Sequence, residues 1–463
     1  MKAEQFFAGA ARIDITPPLG TRINGDFITH FAHTIHDRLY AKALALKSGT
    51  ETIVMVVVDI CYMQDDFLRP IRKELAKKTG IPHKNFLFCC THSHSAGAVT
   101  DLLLGAADLP YTRKLPGLIK RSVFAAIEAL VPAKIAFGKV EVPEHILCRR
   151  YFMKEGYQAH NPVTGNVDQV KTNPFGVEEQ ILAPVAKMDT ELCYLAVKDV
   201  DDQWISLLAN YSLHYVGDFG SGIISADYFG EFSEQVKNAL GAGDEFVGMM
   251  SNGTSGEANI WDFLDQNRYP KEDFGKTRLI AKDLANKVAE SLGDLKWDRR
   301  PMLLTAYAEL FLPVNKPSIQ ELDAAKKILS AYDFENIKVV DPDTMKKIYA
   351  REQVLLNDGP DEEILPIQAI RIGEGVIGAL AGEFFAETGL WLKENSPVEH
   401  YFSIGLANGA VGYVPPAHEI ERGGYETWRC RSSKLKKGSE AIVKERLLQL
   451  INEVSNQRLN IEK

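Results

Sequence analysis

The chain has no window of about 18 uninterrupted apolar residues, and its opening, MKAEQFFAGAARIDITPP, has no signal-peptide apolar core. A membrane-spanning helix is therefore excluded. The expectation is a soluble chain without stable membrane association, cytoplasmic as written or exported if a signal peptide was removed. The six cysteines (Cys61, Cys89, Cys90, Cys148, Cys193, Cys430) are scattered and form no Cys-x-x-Cys pair. That argues against a disulfide framework and a thiolate zinc site. Blocks of like charge are missing too: the net charge of -9 is spread along the chain, leaving no footprint for nucleic acid or an anionic membrane. Internal repeats and low-complexity tracts are absent.

What remains is a globular composition, 45% hydrophobic and 25% charged, in 463 residues that suffice for a substantial core. Its focal stretch is Asn85 to Ser95, NFLFCCTHSHS, an apolar run that ends abruptly in His92 and His94. A buried strand over Phe86 to Cys90 would put both imidazoles just past its end. Residues i and i+2 of an extended chain face one side, where a metal ion or polarised substrate could sit. The alternative is a capped strand end whose histidines face solvent.

Thr52 to Val58 reads as a strand buried on both faces and ending in Asp59. Asp65 to Lys78 reads as a helix with acids first, lysines last and Gly80 as its stop. With Phe86 to Cys90 these make a β-α-β unit, and ligands bind beyond the carboxyl ends of such strands, where Asp59, His92 and His94 fall. The loop Gly20 to His36 carries His30, His33 and His36, which are either ligands or ordinary loop histidines. Arg149-Arg150 could grip a carboxylate or phosphate, or could simply be exposed. Residues 155 to 178 read as a long surface loop of the kind that is often functional. The turn SNGTSGEAN, residues 251 to 259, could offer backbone N–H groups to an oxyanion or be an ordinary turn. Residues 316 to 364 read as a helical excursion, either a lid or a solvated helical pair.

Four apolar segments far apart in sequence run into residues able to bind a metal: His92, His214, Glu383 and Tyr413. Two imidazoles and a carboxylate suit a catalytic zinc ion with one position left open. Each residue taken alone reads as structural.

The segments AGAARIDITPP, CCTHSHS, the strand ending in His214, SADYFGEF, AGEFF and GYVPP…GGYE stand in an order that resembles the neutral ceramidases and their bacterial relatives over nearly the whole chain. The resemblance implies one α/β catalytic domain over residues 1 to 463, a mixed β-sheet core flanked by helices, cleaving an amide bond at a single Zn2+. By that resemblance the zinc ligands are His92, His214, Glu383 and Tyr413, His94 lies near the scissile bond, and the active-site arginine is Arg149, with Arg150 one position away.

Two departures bear on the substrate. Where the ceramidases carry a serine in Gly-Asp-x-Ser-Pro-Asn, this chain reads Gly256-Glu257-Ala258-Asn259-Ile260-Trp261. Asn259 can donate a hydrogen bond but cannot be a nucleophile, so water must attack directly. Around Ser255, Gly253-Thr254-Ser255-Gly256-Glu257 lacks the final glycine of a nucleophile elbow. The chain also stops at its closing helix, without the β-sandwich that follows in the ceramidases. The expectation is a zinc-dependent hydrolase of a small, polar amide or related compound rather than of a bilayer lipid, with catalytic roles for His94, Arg149, Tyr413 and Asn259. The competing readings are a metal-dependent lyase or esterase on a sugar-derived substrate, and a non-catalytic metal- or ligand-binding relative. Composition leaves the oligomeric state open.

Overall fold

The computed structural model describes residues 5–330, 337 and 340–456. Eight strands form its main sheet: β1 (Phe6–Asp14), β2 (Tyr40–Ser48), β3 (Glu51–Val58), β4 (Phe86–Cys90), β5 (Val131–Glu141), β6 (Glu191–Asp199), β7 (Trp204–Tyr211) and β8 (Val247–Asn252). Their order is β8-β7-β6-β5-β1-β2-β3-β4, antiparallel except for the outer pairs β3/β4 and β7/β8. The almost wholly apolar strand β3 follows from burial on both faces. Ile53, Met55 and Val57 point to one side, and Val54, Val56 and Val58 to the other.

The first side packs on a second sheet of β9 (Leu303–Pro313), β10 (Glu362–Ile372), β11 (Gly375–Leu380) and β12 (His400–Ile404), with Ile370, Ile377 and Phe402 in the shared core. The other side is covered by α1 (Asp65–Thr79), α2 (Leu109–Glu128), α3 (Asp227–Ala239) and α4 (Gly275–Glu290). Helix α1 stops where the sequence says it should, at Gly80 with φ of 75°, a left-handed conformation that glycine adopts without a Cβ clash. No helix among the described residues is long and apolar enough to cross a membrane.

Residues 316 to 364 supply α5 (Ile319–Leu329) and α6 (Pro342–Asp358), each opened by a capping box, Ser318 with Glu321 and Asp341 with Thr344. The solvated-pair alternative does not hold for α6, which buries Ile348, Tyr349 and Leu356. Its fully buried Glu352 receives Arg431 through Nε at 2.9 Å and Nη2 at 2.8 Å. Helices α7 (Ala386–Asn395) and α8 (Ser439–Asn456) close the outer face of the second sheet, where Leu392, Val443, Leu447 and Leu450 meet Leu365, Ile367 and Val376. The layers therefore run helix, sheet, sheet, helix.

Folding of the main sheet over its centre brings distant residues to one site. Laid flat, the outermost strands β4 and β8 would run in opposite directions, with their carboxyl ends on opposite edges. The two four-stranded halves are joined only at Phe7–Pro132 and Ala8–Val131 between β1 and β5. Beyond those pairs they splay and fold over, so that β8 lies against β3 and β4 and the two carboxyl ends share one volume. There Asn252 Nδ2 donates to Thr91 O at 3.4 Å. The segment after β12 ties both strands together, Gly405 N donating to Asn252 O at 2.9 Å and Cys90 N to Leu406 O at 3.3 Å.

Candidate active site

Four chain segments deliver the central residues. His92 and His94 follow β4, His214 follows β7, and Glu383 follows β11. Glu383 and Tyr413 are neighbours in a two-residue parallel pairing, Glu383–Phe384 with Tyr413–Val414. The histidines do converge, but not by the extended backbone that the alternation rule assumes. His92 has φ of 66°, and this left-handed kink sets its Nε2 at 3.1 Å from His94 Nε2. Gly25 makes room for the second ring: a Cβ there would lie 2.6 Å from His94 Cγ.

One ligand atom from each of His92, His214 and Glu383 lies within 4.8 Å of the other two. His92 Nε2 is 3.5 Å and His214 Nδ1 3.8 Å from Glu383 Oε2. His92 Nδ1 lies 2.9 Å from Cys61 O, so that nitrogen carries the proton and Nε2 presents its lone pair inward. Tyr62 donates its hydroxyl to Glu383 Oε1. Glu383 Oε2 and His214 Nε2 are buried without a hydrogen-bond partner. Leaving such groups unsatisfied costs about 1–3 kcal/mol each, more for a charged one, and a cation among them removes the cost. Burial, reinforced by nearby cationic groups, pushes the pKa of His94 and His214 well below the ordinary imidazole value, so both are neutral, the form that ligates metal. The donor set thus fits a divalent ion of the zinc type. Cys61, His92 and His94 also cluster. Burial drives the Cys61 thiol far up, which leaves it protonated and a poor ligand, so the histidine-carboxylate set is the better fit.

The adjacent arginines separate cleanly. Arg149 faces the site: its Nη2 donates to Tyr413 OH at 3.0 Å and to Gly256 O at 2.6 Å, while Nε donates to Glu426 Oε1 at 2.7 Å. Arg150 turns away to Glu426 Oε2 at 2.8 Å and Glu419 Oε2 at 2.7 Å. Burial raises the pKa of the Tyr413 hydroxyl far above its ordinary value despite Arg149 beside it, so the phenol keeps its proton.

Other sequence expectations fall outside this cluster. Asn259 is buried but does not reach the cavity. Its Nδ2 donates to Asn173 Oδ1 at 2.8 Å and its Oδ1 accepts from Trp261 N at 3.0 Å, so Asn173 stands between it and the site. Ser255 Oγ donates to Asn252 Oδ1 at 3.2 Å rather than to a base. In the glycine turn, Gly253 N and Gly256 N are committed to Tyr211 O and Phe384 O at 3.2 and 2.9 Å, and so are not free for an oxyanion. Asp59 accepts from Tyr40 N at 2.8 Å and pairs with the buried Lys42, away from the histidines. Of the loop histidines, His30 lines the cavity, His33 lies 3.0 Å from Ser221 O, and His36 stacks on Phe274.

The cluster forms the floor of a cavity of about 610 Å³. Aromatic rings of Phe27, Phe175, Trp261, Tyr425 and Trp428 make much of its wall, and Met345 of α6 contributes to the rim. The stretch 155 to 178 is less irregular than its composition suggests, carrying a short strand Val170–Thr172 whose Lys171 and Thr172 line the cavity. Tyr62, Glu426, Gly25 and the Cys61 carbonyl were not singled out from sequence. Tyr62 carried a weak signal, lying three residues past the strand-ending Asp59, and Glu426 lies in the GGYE segment.

No protein-family model matches the chain. Among solved structures it is similar to neutral ceramidase from Pseudomonas aeruginosa, with a TM-score of 0.73 and 16% identity over 97% of this chain and 74% of that one. A ceramidase complexed with C2 gives a TM-score of 0.72 and 16% identity over 98% of this chain and 76% of that one. The mixed α/β fold is that of the neutral ceramidases.

Proposed function

We propose that this protein is a zinc-dependent hydrolase that cleaves an amide or related bond of a small, polar substrate by direct attack of water. The observation that carries the reading is the convergence of His92, His214 and Glu383, with an orphaned carboxylate oxygen and an orphaned imidazole nitrogen, on the floor of a cavity of about 610 Å³. Those three residues would hold one ion, with Tyr413 completing or lining the site. When bound, the ion supplies a Lewis acid that makes water nucleophilic near neutral pH.

The remaining work falls to the chain's own groups. The Cys61 carbonyl and the Tyr62 hydroxyl fix the orientation of His92 and Glu383. Arg149 donates to the Tyr413 oxygen, which leaves the phenolic hydrogen free to donate to the oxygen that gains negative charge as the carbonyl is attacked. His94 is neutral and can take a proton from the attacking water and return it to the departing amine. In this reading Asn259 does not touch the substrate; it positions Asn173 in the wall. Without a serine in its place, no covalent acyl intermediate is needed.

Chelation should abolish turnover of susceptible N-acyl compounds and zinc should restore it, with acid and amine released in equal amounts and no unsaturated product. Turnover indifferent to chelator and to His92→Ala would refute the proposal.

A further inference from the structure

Among the described residues, every ionisable side chain lining the cavity has a side-chain partner, with one exception. Arg149 is held by Glu426, His30 lies 2.7 Å from Asp26, and Glu383 belongs to the proposed metal set. Lys171 also lines the cavity and is partly buried, yet it has no ion pair, hydrogen bond or ring contact among the described residues. Burial lowers its pKa, and no neighbouring carboxylate offsets that effect. A partly desolvated ammonium left unpaired is destabilising, and a bound anion would relieve it. The surroundings are aromatic, with Phe175 edge-on to Trp261 at 5.2 Å and Phe27 to Tyr425 at 5.8 Å between ring centres. Such walls accept a flat or apolar body.

We propose that Lys171 pairs with a single carboxylate of the substrate, which is then a monoanionic amide with an apolar or aromatic body, of the N-acylated amino acid class. One unmatched cation calls for one negative charge; a dianionic phosphate would leave charge over. This assignment rests on reading the site as an amide hydrolase centre, and it makes Lys171 the residue that sets specificity.

The test is calorimetric titration of the full chain, zinc-loaded and chelator-treated, with N-benzoylglycine and with its uncharged counterpart N-benzoylglycinamide. Wild type should bind the anion about tenfold or more tightly than the amide in both forms. Lys171→Met should lose that preference with binding of the amide unchanged, and Lys171→Arg should keep it. Matching circular dichroism and melting curves for the variants establish that they fold. The proposal is overturned by the absence of a preference in wild type, including failure of both probes to bind. It is equally overturned by a preference that survives Lys171→Met, or by one seen only with zinc, where the ion rather than Lys171 would hold the carboxylate. Hydrolysis of the probes reports separately on the proposed function, because the preference is read from binding in metal-free protein.

Discussion

Replacing Glu426 by Gln should destabilise the fold more than any other isosteric change near the site. Glu426 is fully buried and accepts from Arg149 Nε at 2.7 Å, Arg150 Nη1 at 2.8 Å and Thr172 Oγ1 at 2.8 Å. An amide keeps one acceptor oxygen but turns the other arm into a donor aimed at donors. Arg150 retains Glu419, whereas Arg149 loses its carboxylate partner and becomes an uncompensated buried charge. Breaking one side of a buried ion pair costs about 3–5 kcal/mol, a large fraction of the roughly 5–15 kcal/mol that holds a typical domain together. Urea unfolding followed by circular dichroism and fluorescence reads the loss as a lower midpoint at unchanged slope. The pH dependence gives a second check. Burial pushes the Glu426 carboxyl up, but Arg149 and Arg150 outweigh it and hold the group below its ordinary value. Its stabilisation is therefore complete above the unfolded pKa of about 4.3 and is lost as pH falls through the folded value. The gap between wild type and Glu426→Gln should narrow in acid. A difference below about 1 kcal/mol at neutral pH, or one that does not change with pH, would refute the claim that this carboxylate anchors both arginines.

Gly25→Ala places a Cβ 2.6 Å from His94 Cγ, at a backbone φ of 142°. It should cost about 1–3 kcal/mol in melting experiments and displace the His94 ring, seen as a shifted imidazole resonance. Tyr62→Phe removes the donor to Glu383 and should weaken zinc binding about 10–100-fold in chelator competition, while the orphaned Oε1 costs the metal-free protein about 1–3 kcal/mol in melting experiments. Glu257 tests the sign of a raised carboxyl: burial pushes it up to about 8, against the hydrogen bonds it accepts from Ala386 N at 3.0 Å. Its folded state therefore binds the proton more tightly than the unfolded state does. Stability should fall as pH rises from about 4.3 toward 8, and Glu257→Gln should flatten that part of the profile.

Local rules made much of this legible. Apolar strands leading to His92, His214 and Glu383 were visible because each is short, mostly apolar and followed by a polar residue. The helix over Asp65 to Lys78 had charge polarity and a glycine stop. Convergence of those ends was not local information, since it depends on the short β1–β5 junction at which the main sheet folds over and on the Gly405–Leu406 segment that bonds both outer strands. The alternation rule gave the right pairing of His92 and His94 for the wrong reason, because the left-handed backbone at His92 replaces the extended geometry it assumes. Asn259 shows the limit of matching by position. The register put it where a nucleophile would stand, but its amide is spent on Asn173 and Trp261 N. Glu426, though it stands in the GGYE segment, drew no role for a related reason: its partners Arg149 and Arg150 lie far away in sequence, and only their opposite orientations show which arginine serves the site.

The most direct test of the central claim is the metal content of protein purified without added metal, measured by mass spectrometry for wild type, His92→Ala, His214→Ala and Glu383→Gln. The account predicts near-stoichiometric zinc in wild type and its loss in all three variants while their folds persist. Wild-type protein that takes up no metal even after incubation with zinc, or variants that retain it in full, would contradict the assignment of these residues as a metal site.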